Sequence, residues 1–480
     1  MYYNSIVKNK NKFLLLSILV LATFLLFYRL SDLMPFIGDQ GWFYLSARDM
    51  LLTGNIPLVG ITSSHTWLHQ GALWTYMLGA MLWLFNFNPV SGAYLTVVIG
   101  IVTVFAMYKI GSEMFSERIG LIAALVYGTS PLVIYFARMS YHTSVIPTLT
   151  LLLLYCMYKW VRGYQYGLPF VLFLFALLYN FEIATIALAP ILGIVLVYGW
   201  VRKKPWTENL FSKKIVLLSI VGILVPMIPM LLYDVNHGFP QTVKVAMWIG
   251  YKIATHFGYP LLHPDIPVEN YASMALFATV FMQKLIFLKS AFISWTVLFI
   301  SFVTVGYLSF RELQKKHYVH EYSLLLLFFV IPVVGYISAR TNSEAYVPII
   351  FPIVAFMIAL VFDRLMHVRY LLIPSLGLLG IFVLCNILAL FDSQFFMGKD
   401  WYGPSMSQRI AVSKQMIRES NGKAYTLTGK GQWSQYQSFT MNYEYLSWWL
   451  GHAPSHKKEK INFILREDSG NPILQKEIVQ

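Results

Sequence analysis

One short stretch, Gly38-Asp39-Gln40-Gly41-Trp42, lies just beyond the opening apolar run of the chain and carries the first carboxylate that can face a reaction at the membrane surface. Asp39 is flanked by a glycine and by Gln40, and Arg48 follows further along. A carboxylate in such a loop can act as a general base that accepts the proton of an attacking hydroxyl group. Aspartate is also a preferred N-cap residue, and Asp39 would then cap a helix that begins near Gly41. The catalytic base and the helix cap are the two interpretations of Asp39.

A later polar turn, Tyr135-Phe136-Ala137-Arg138-Met139-Ser140-Tyr141-His142, separates two apolar runs. A guanidinium group at a membrane boundary suits a phosphate or pyrophosphate, so Arg138 is a candidate phosphate ligand. The alternative is that Arg138 extends along the helix to lipid headgroups. His142 is either a substrate contact or a neutral side chain that packs and bonds locally.

A second polar turn contains Arg340, Glu344 and Tyr346. Arg340 is a candidate for a second phosphate contact, with Tyr346 packed or hydrogen-bonded beneath it. An ion pair between Arg340 and Glu344 that closes the turn is the competing interpretation.

Three further candidates are Glu182, His65 and His69. Glu182 interrupts an apolar stretch, and an ionisable group at such a depth is costly unless it has a partner or a task. The neighbouring Asn180 is explained by a hairpin turn alone. His65 and His69 belong to the first long loop, where they line an acceptor entrance or satisfy interfacial hydrogen bonds.

The composition defines the class of protein that positions these side chains. The chain has 480 residues, of which 57% are hydrophobic and 12% charged, and its mean hydropathy is +0.60. Repeated apolar runs are long enough to cross about 30 Å of hydrocarbon, so we predict an all-α polytopic membrane protein. Both cysteines lie inside apolar runs and indicate neither disulfides nor a metal cluster. Walker A, G-x-G-x-x-G and H-E-x-x-H motifs are absent from the sequence.

Eleven membrane spans are predicted, with a cytoplasmic N-terminus and an uncleaved first span. The net charge of +14 then concentrates in short cytoplasmic loops, as the positive-inside bias requires, so nucleic acid is not an expected partner. If segment 71–87 crossed the membrane, every later loop would change sides. We therefore expect it to lie at the outer interface, where its Trp and Tyr residues are favoured, or to re-enter the membrane from that side. The predicted spans are about 13–30, 90–110, 118–137, 140–160, 165–181, 183–200, 215–233, 288–310, 321–338, 345–362 and 370–391.

Two parts of the chain are expected. Residues 1–392 form the transmembrane domain, with long extracytoplasmic loops at 31–89 and 234–287 and amphipathic segments near 241–256 and 269–286. Residues 393–480 are richer in charge and form a small extracytoplasmic α/β domain. Strands are predicted near 424–427 and 460–465, and a helix over 436–450.

The order of these motifs resembles the polyprenyl-phosphate-dependent glycosyltransferases of the GT-C superfamily. The similarity is greatest to family 39, which includes relatives of protein O-mannosyltransferases and lipid A aminoarabinose transferases. It covers about residues 12–390 and is strongest over 38–160. The Ser-Pro…Ala-Arg segment at 130–138 and the Tyr-x-Pro…Pro segment at 346–352 also resemble motifs of that family.

The resemblance implies roles for individual residues. In the family an acidic residue after the first span is the catalytic base, and this role falls on Asp39. The family's Asp-Glu pair reads Asp39-Gln40 here. A Lys-Pro-Pro-Leu-Tyr-like stretch, whose lysine approaches the lipid phosphate, corresponds to residues 70–74 and begins with Gln70. The phosphate contact must then come from His69, Arg138 or Arg340.

The implied reaction is a single inverting transfer of a sugar from a polyprenyl phosphate to an extracytoplasmic acceptor hydroxyl. Cations that neutralise the leaving phosphate contribute through fixed electrostatics. The implied partners are the lipid-linked sugar donor, membrane lipids, and a glycan, lipid or protein acceptor. Some GT-C enzymes use a divalent cation, but because Gln40 replaces an acid we expect no obligatory metal or other cofactor.

Two other classes compete with this interpretation. A lipid or solute transporter, or a flippase, would have repeated halves and polar groups near the bilayer midplane. The sequence shows no repeat, and its charges gather at the predicted outer rim. The other alternative is a non-catalytic membrane subunit whose tail serves assembly.

Overall fold

The computed structural model describes most of the chain. The described residues are 2–62, 68–257, 270–314, 320–340, 342, 344–392, 403–431, 433–467 and 471–478.

A bundle of helices occupies the part of the chain up to residue 392. Long apolar runs become helices there because a helix satisfies its own backbone hydrogen bonds in lipid. Short 3-10 helices at His142–Val145, Ile183–Leu188 and Glu344–Tyr346 join or extend them. The α-helices are α1 (Tyr2–Phe27), α2 (Leu30–Leu33), α3 (Gly38–Thr53), α4 (Leu73–Leu84), α5 (Ser91–Met114), α6 (Glu117–Gly128), α7 (Pro131–Ala137), α8 (Ile146–Val161), α9 (Gly167–Phe181), α10 (Ala189–Val201), α11 (Lys213–His237), α12 (Pro240–His256), α13 (Tyr271–Ile286), α14 (Ala291–Gln314), α15 (Glu321–Ala339), α16 (Val347–His367) and α17 (Leu372–Asp392).

Within the described residues, nine helices are long and apolar enough to cross a membrane, and the pair α6–α7 makes a tenth if it is one broken span. The pair bends by 67° where Pro131 begins α7. All eleven predicted segments coincide with helices. The predicted number of spans is higher because it includes α9, which has only 15 residues. That is about 22 Å of helix and shorter than the hydrocarbon layer.

Segment 71–87 folds as predicted for a non-spanning stretch. Its helix α4 has 12 residues, which is about 18 Å and too short to cross. It packs on α3 and follows a two-stranded antiparallel hairpin made of β1 (Val59–Thr62) and β2 (His69–Gly71). The described parts of the first long loop therefore pack on one another at one end of the bundle.

The core of the bundle is helix α16, which is apolar on all sides and 83% buried over its membrane-length window. It packs against α6, α8, α14, α15 and α17. Because α16 follows directly after Tyr346, its rigid start holds the Glu344–Tyr346 turn at one end of the bundle.

The C-terminal part of the chain forms a small α/β unit with helices α18 (Met406–Ser420) and α19 (Met441–Trp449). Its sheet has the order β3 (Tyr425–Gly429), β4 (Ile461–Arg466) and β5 (Ile473–Ile478). Strands β3 and β4 are parallel, and β4 and β5 are antiparallel. The predicted strands and helix are confirmed, and the fold class agrees with the prediction.

A bidentate ion pair lies inside this small unit. Arg409 is fully buried, and its Nε and Nη2 atoms lie 3.1 and 3.0 Å from the two carboxylate oxygens of Glu467. Such two-point pairing compensates the buried guanidinium and fixes α18 against the end of β4.

Candidate active site

Asp39 lies at the second residue of α3, in the first turn of the helix. The helix begins at Gly38, with Ile37 at the N-cap position, so the interpretation of Asp39 as the cap of a helix that begins near Gly41 is wrong. Gln40 performs part of that task, because its Oε1 accepts a hydrogen bond of 2.7 Å from the Ile37 backbone nitrogen. The Asp39 carboxylate is left at the positive end of the helix, where a negative charge is favourable.

Tyr141 orients the Asp39 carboxylate. Its hydroxyl donates a hydrogen bond of 3.1 Å to Asp39 Oδ2. Burial and the nearby charges of Asp39 and Glu182 raise the pKa of Tyr141 well above its usual value. Tyr141 therefore stays protonated and acts as a fixed donor, which leaves the second carboxylate oxygen of Asp39 to accept a proton.

Glu344 brings a second carboxylate into the electrostatic environment of Asp39. Burial raises the pKa of Glu344 to about 7, the positive charge of Lys284 opposes this rise, and the Asp39 carboxylate adds to it. Lys284 lies in the last turn of α13. Two acids and one ammonium group thus interact at this end of the bundle, which we call the Asp39 face.

The competing interpretation, an ion pair between Arg340 and Glu344, is not observed, although the structure describes both residues. Arg340 is exposed, its Nη2 lies 2.8 Å from the hydroxyl of Tyr271, and its guanidinium stacks over that ring at 5.1 Å. Tyr346 contacts the ring of Tyr336 with centroids 6.1 Å apart. Burial and the charge of Glu182 raise the pKa of Tyr346 to about 12.

Glu182 connects three distant segments at the Asp39 face. Its Oε2 lies 3.0 Å from His142 Nε2 and accepts a bond of 3.3 Å from the Gln70 amide. Its Oε1 accepts from the Ala184 backbone nitrogen and so caps the 3-10 helix that follows. Gln70, which stands where the related family has a lysine, is therefore held by a carboxylate.

Arg138 is buried against the first membrane helix. It is 1% exposed, and its Nη1 donates to the carbonyls of Tyr28 and Leu25 at 2.7 and 3.2 Å. These carbonyls lie at the C-terminal end of α1, where cationic side chains are favourable. The expectation that Arg138 extends to lipid headgroups is wrong, because the side chain points inward.

The remaining candidates have separate surroundings. Arg48 forms a 2.6 Å ion pair with Asp49 and lies over the ring of Trp448. His69 Nδ1 lies 3.1 Å from the Gly60 carbonyl within the hairpin, and the backbone of His69 bonds to the side chain of Gln241. His65 lies outside the described residues.

Neither Tyr141 nor Lys284 was predicted as a site residue from the sequence. Tyr141 is one position before the candidate His142, and only its contact with a residue far away in the chain reveals it. Lys284 was predicted to lie in an amphipathic segment, with no feature that linked it to Asp39. Among the described residues, no group of three or more His, Cys, Asp and Glu side chains is arranged to hold a metal ion.

Comparison with known proteins agrees with this architecture. Residues 69–233 match the family model for dolichyl-phosphate-mannose-protein mannosyltransferase. The fold is similar to that of ArnT from Cupriavidus metallidurans bound to undecaprenyl phosphate, with a TM-score of 0.61, 10% identity, and coverage of 94% of this chain and 92% of that chain. No curated protein matches the sequence.

A second similar structure is the archaeal oligosaccharyltransferase AglB from Archaeoglobus fulgidus, solved with an inhibitory peptide and a dolichol-phosphate. The TM-score is 0.56 at 13% identity, over 91% of this chain and 64% of AglB, so the chain spans less than two thirds of that relative. Together these findings define a multi-pass membrane protein with the GT-C glycosyltransferase fold. The resemblance to the GT-C superfamily is confirmed, and the family match covers residues 69–233.

Proposed function

We propose that this chain is a membrane glycosyltransferase that moves a sugar from a polyprenyl phosphate to a hydroxyl group of an extracytoplasmic acceptor, with inversion and with Asp39 as the general base. The observation that carries the proposal is the geometry of Asp39. Its carboxylate lies at a helix N-terminus, is oriented by the Tyr141 hydroxyl, and acts on Glu344, on which the charge of Lys284 acts as well.

The reaction is a single displacement at the anomeric carbon. The acceptor oxygen forms a bond to that carbon while the bond from carbon to phosphate oxygen breaks. Asp39 takes the acceptor proton, and the polyprenyl phosphate leaves with the bonding electrons. Because a general base must reach the proton it removes, the oxygen of Asp39 that Tyr141 does not occupy is the one assigned to this step.

Lys284 is the cation that we assign to the leaving phosphate. Arg138 is engaged with two backbone carbonyls, and Arg340 lies on Tyr271. The charge of Lys284 acts on Glu344, which in turn is sensitive to Asp39. A fixed ammonium group near the departing oxygen stabilises the charge that develops there.

We place the Asp39 face and the C-terminal unit outside the cell membrane. The opposite end of the bundle carries short loops and helix ends rich in basic residues, for example Lys159 at the end of α8, which pairs with Glu113, and Arg118 at the start of α6, which lies near Asp363. Short loops with this bias remain in the cytoplasm. The orientation is tested by labelling single cysteines introduced at Lys159 and at Lys458 in intact cells, where only the latter should react.

We infer that the reaction needs no obligatory divalent cation. Support comes from the residue next to Asp39, since Gln40 is a neutral amide whose oxygen is already used in the first turn of α3. Transfer should then survive EDTA treatment of purified protein. Loss of activity with EDTA and its return with Mg²⁺ or Mn²⁺ would contradict this inference.

Catalysis is preferred to transport because the charged groups of the site lie at helix ends. Asp39, Glu182 and Glu344 all lie at or beside the first residues of helices on the Asp39 face. Transporters place such groups near the bilayer midplane. Movement of the lipid-linked sugar across the membrane with its sugar–phosphate bond intact would favour a transporter or flippase.

The direct test compares a deletion strain that carries the wild-type chain with one that carries Asp39→Asn. Wild-type protein should restore the missing sugar on the cell envelope, and mass spectrometry of lipids should show that the polyprenyl-linked sugar no longer accumulates. Asp39→Asn should fold and bind lipid normally but lose about 100-fold or more in transfer rate. Full complementation by Asp39→Asn would exclude Asp39 as the base.

A further inference from the structure

A groove outside the Asp39 site runs between α3 and the C-terminal unit. One part is a cavity of about 610 Å³, bordered by Trp42 and Asp49 of α3 and by Glu444 and His456 of the C-terminal unit. A second cavity of about 460 Å³ also borders Glu444 and His456, so the two cavities are neighbours, and we call them together the groove. Cavities of this size accommodate small organic ligands or segments of a polymer.

The second half of the groove has a polar surface made by the sheet. Thr426 and Thr428 are two residues apart on β3, and both hydroxyls donate to Asn462 Oδ1 on the neighbouring strand, at 3.0 and 2.6 Å. Lys458 and His456 border the same space. Hydroxyl, amide, imidazole and ammonium groups therefore all border this half of the groove.

The first half combines an aromatic face with charges of both signs. The Trp42 indole borders the cavity, and Arg48 is paired with Asp49 at 2.6 Å and lies 4.9 Å from the Trp448 ring centroid. Glu444 accepts a bond of 2.8 Å from Thr440. Because acidic and basic groups offset one another, the groove lacks the positive excess that an anionic polymer or lipid surface would require.

The position of Trp42 links the groove to the reaction site. Trp42 follows Asp39 by three residues on the same helix, which is about 4.5 Å along the helix axis. The α3 residues that border the cavity run from Trp42 to Thr53, so the Trp42 end of the groove is the end nearer to Asp39 along the helix.

We propose that this groove binds a neutral or weakly charged saccharide chain, the acceptor of the sugar. Sugar hydroxyls both donate and accept hydrogen bonds, which matches the mixed donors and acceptors of the groove. The apolar C–H face of a sugar ring packs on an indole, and the polar groups then fix its orientation. The acceptor role rests on the proposed glycosyl transfer, whereas saccharide binding does not.

The test uses the full-length protein in detergent on an array of neutral and acidic bacterial oligosaccharides, with a peptide array beside it. Wild-type protein should bind saccharides. Trp42→Phe, which keeps an apolar ring, and His456→Ala, at an exposed position, should each weaken binding about tenfold or more. Trp433→Ala is the matched control, because Trp433 is an exposed tryptophan of the C-terminal unit that does not border the groove, and it should bind as wild type does.

Binding of peptides alone, binding of neither class, or saccharide binding that both groove variants retain would overturn the proposal. Transfer at the wild-type rate by variants that no longer bind saccharides would overturn the acceptor role. Asp39→Asn separates this proposal from the proposed function, because it should lose transfer and keep saccharide binding.

Discussion

Gly41 of α3 lies directly against Asn442 of α19, so that a Cβ atom added to Gly41 would overlap the Asn442 backbone nitrogen. Gly38, one turn earlier, meets the Ser438 carbonyl in the same way. The Asn442 amide also donates a bond of 2.7 Å to the Phe36 carbonyl just before α3. The C-terminal unit is therefore docked on the helix that carries Asp39, through a contact that only glycine permits.

Substitution of Gly41 by alanine should displace α19 from α3. We expect a loss of about 1–3 kcal/mol of stability, as for an overpacked core, and a lower transfer rate because the first turn of α3 shifts. Thermal unfolding and limited proteolysis of the C-terminal unit measure the effect. Gly306→Ala, in helix α14 with open space around its Cβ, is the control. Wild-type protease resistance in Gly41→Ala would contradict the docking argument.

Glu344 should make stability depend on pH. Its folded pKa of about 7 lies above the ordinary value of 4.5, so between these values the folded state holds more protons than the unfolded state. Stability from this group is therefore present at low pH and is lost as the pH rises through 7. Glu344→Gln, which cannot ionise, should match wild type near pH 5 and unfold at a higher temperature at pH 8.

The same titration reports the interaction between Glu344 and Asp39. The quantity to follow is the difference in stability between proteins with Glu344 and with Glu344→Gln. Because the Asp39 carboxylate raises the pKa of Glu344, the pH midpoint of that difference should be lower in the Asp39→Asn background. Melting curves of the single and double variants from pH 5 to 9 test this. A midpoint that does not move would show that the two carboxylates are not coupled.

The membrane helices, helix α19 and the strands β3 and β4 were predictable because their signals are local, whereas α18 and β5 were not predicted. Apolar runs set the spans, and alternating residues set strands such as Tyr425–Gly429. The partners of the site residues were not predictable, since Asp39 meets Tyr141 only through the packing of α3 on the turn after α7. Arg138 shows the same limit, because the sequence identifies a cation at a helix end but not the α1 carbonyls that it meets.

Arg138 should behave as a structural residue. Lysine cannot reproduce two directed bonds to the Leu25 and Tyr28 carbonyls, so Arg138→Lys should cost about 1–3 kcal/mol and lower the melting temperature. Arg340→Lys, at an exposed position on Tyr271, should change stability by less than about 1 kcal/mol. A weaker affinity for the lipid donor with an unchanged melting temperature in Arg138→Lys would instead support the phosphate role.

Gln70 should tolerate a positive charge and resist a negative one. Its amide nitrogen lies 3.3 Å from Glu182 Oε2, and the residue is 6% exposed. Gln70→Glu would set two buried carboxylates side by side, and one of them must then stay protonated. We expect Gln70→Glu to lower the melting temperature more at pH 8 than at pH 5, because ionisation of the second acid is suppressed at the lower pH. Gln70→Lys, which introduces a positive charge beside Glu182, should form an ion pair with it and show no such dependence. If Gln70→Glu lowers the melting temperature equally at both pH values, the destabilisation comes from packing and not from charge.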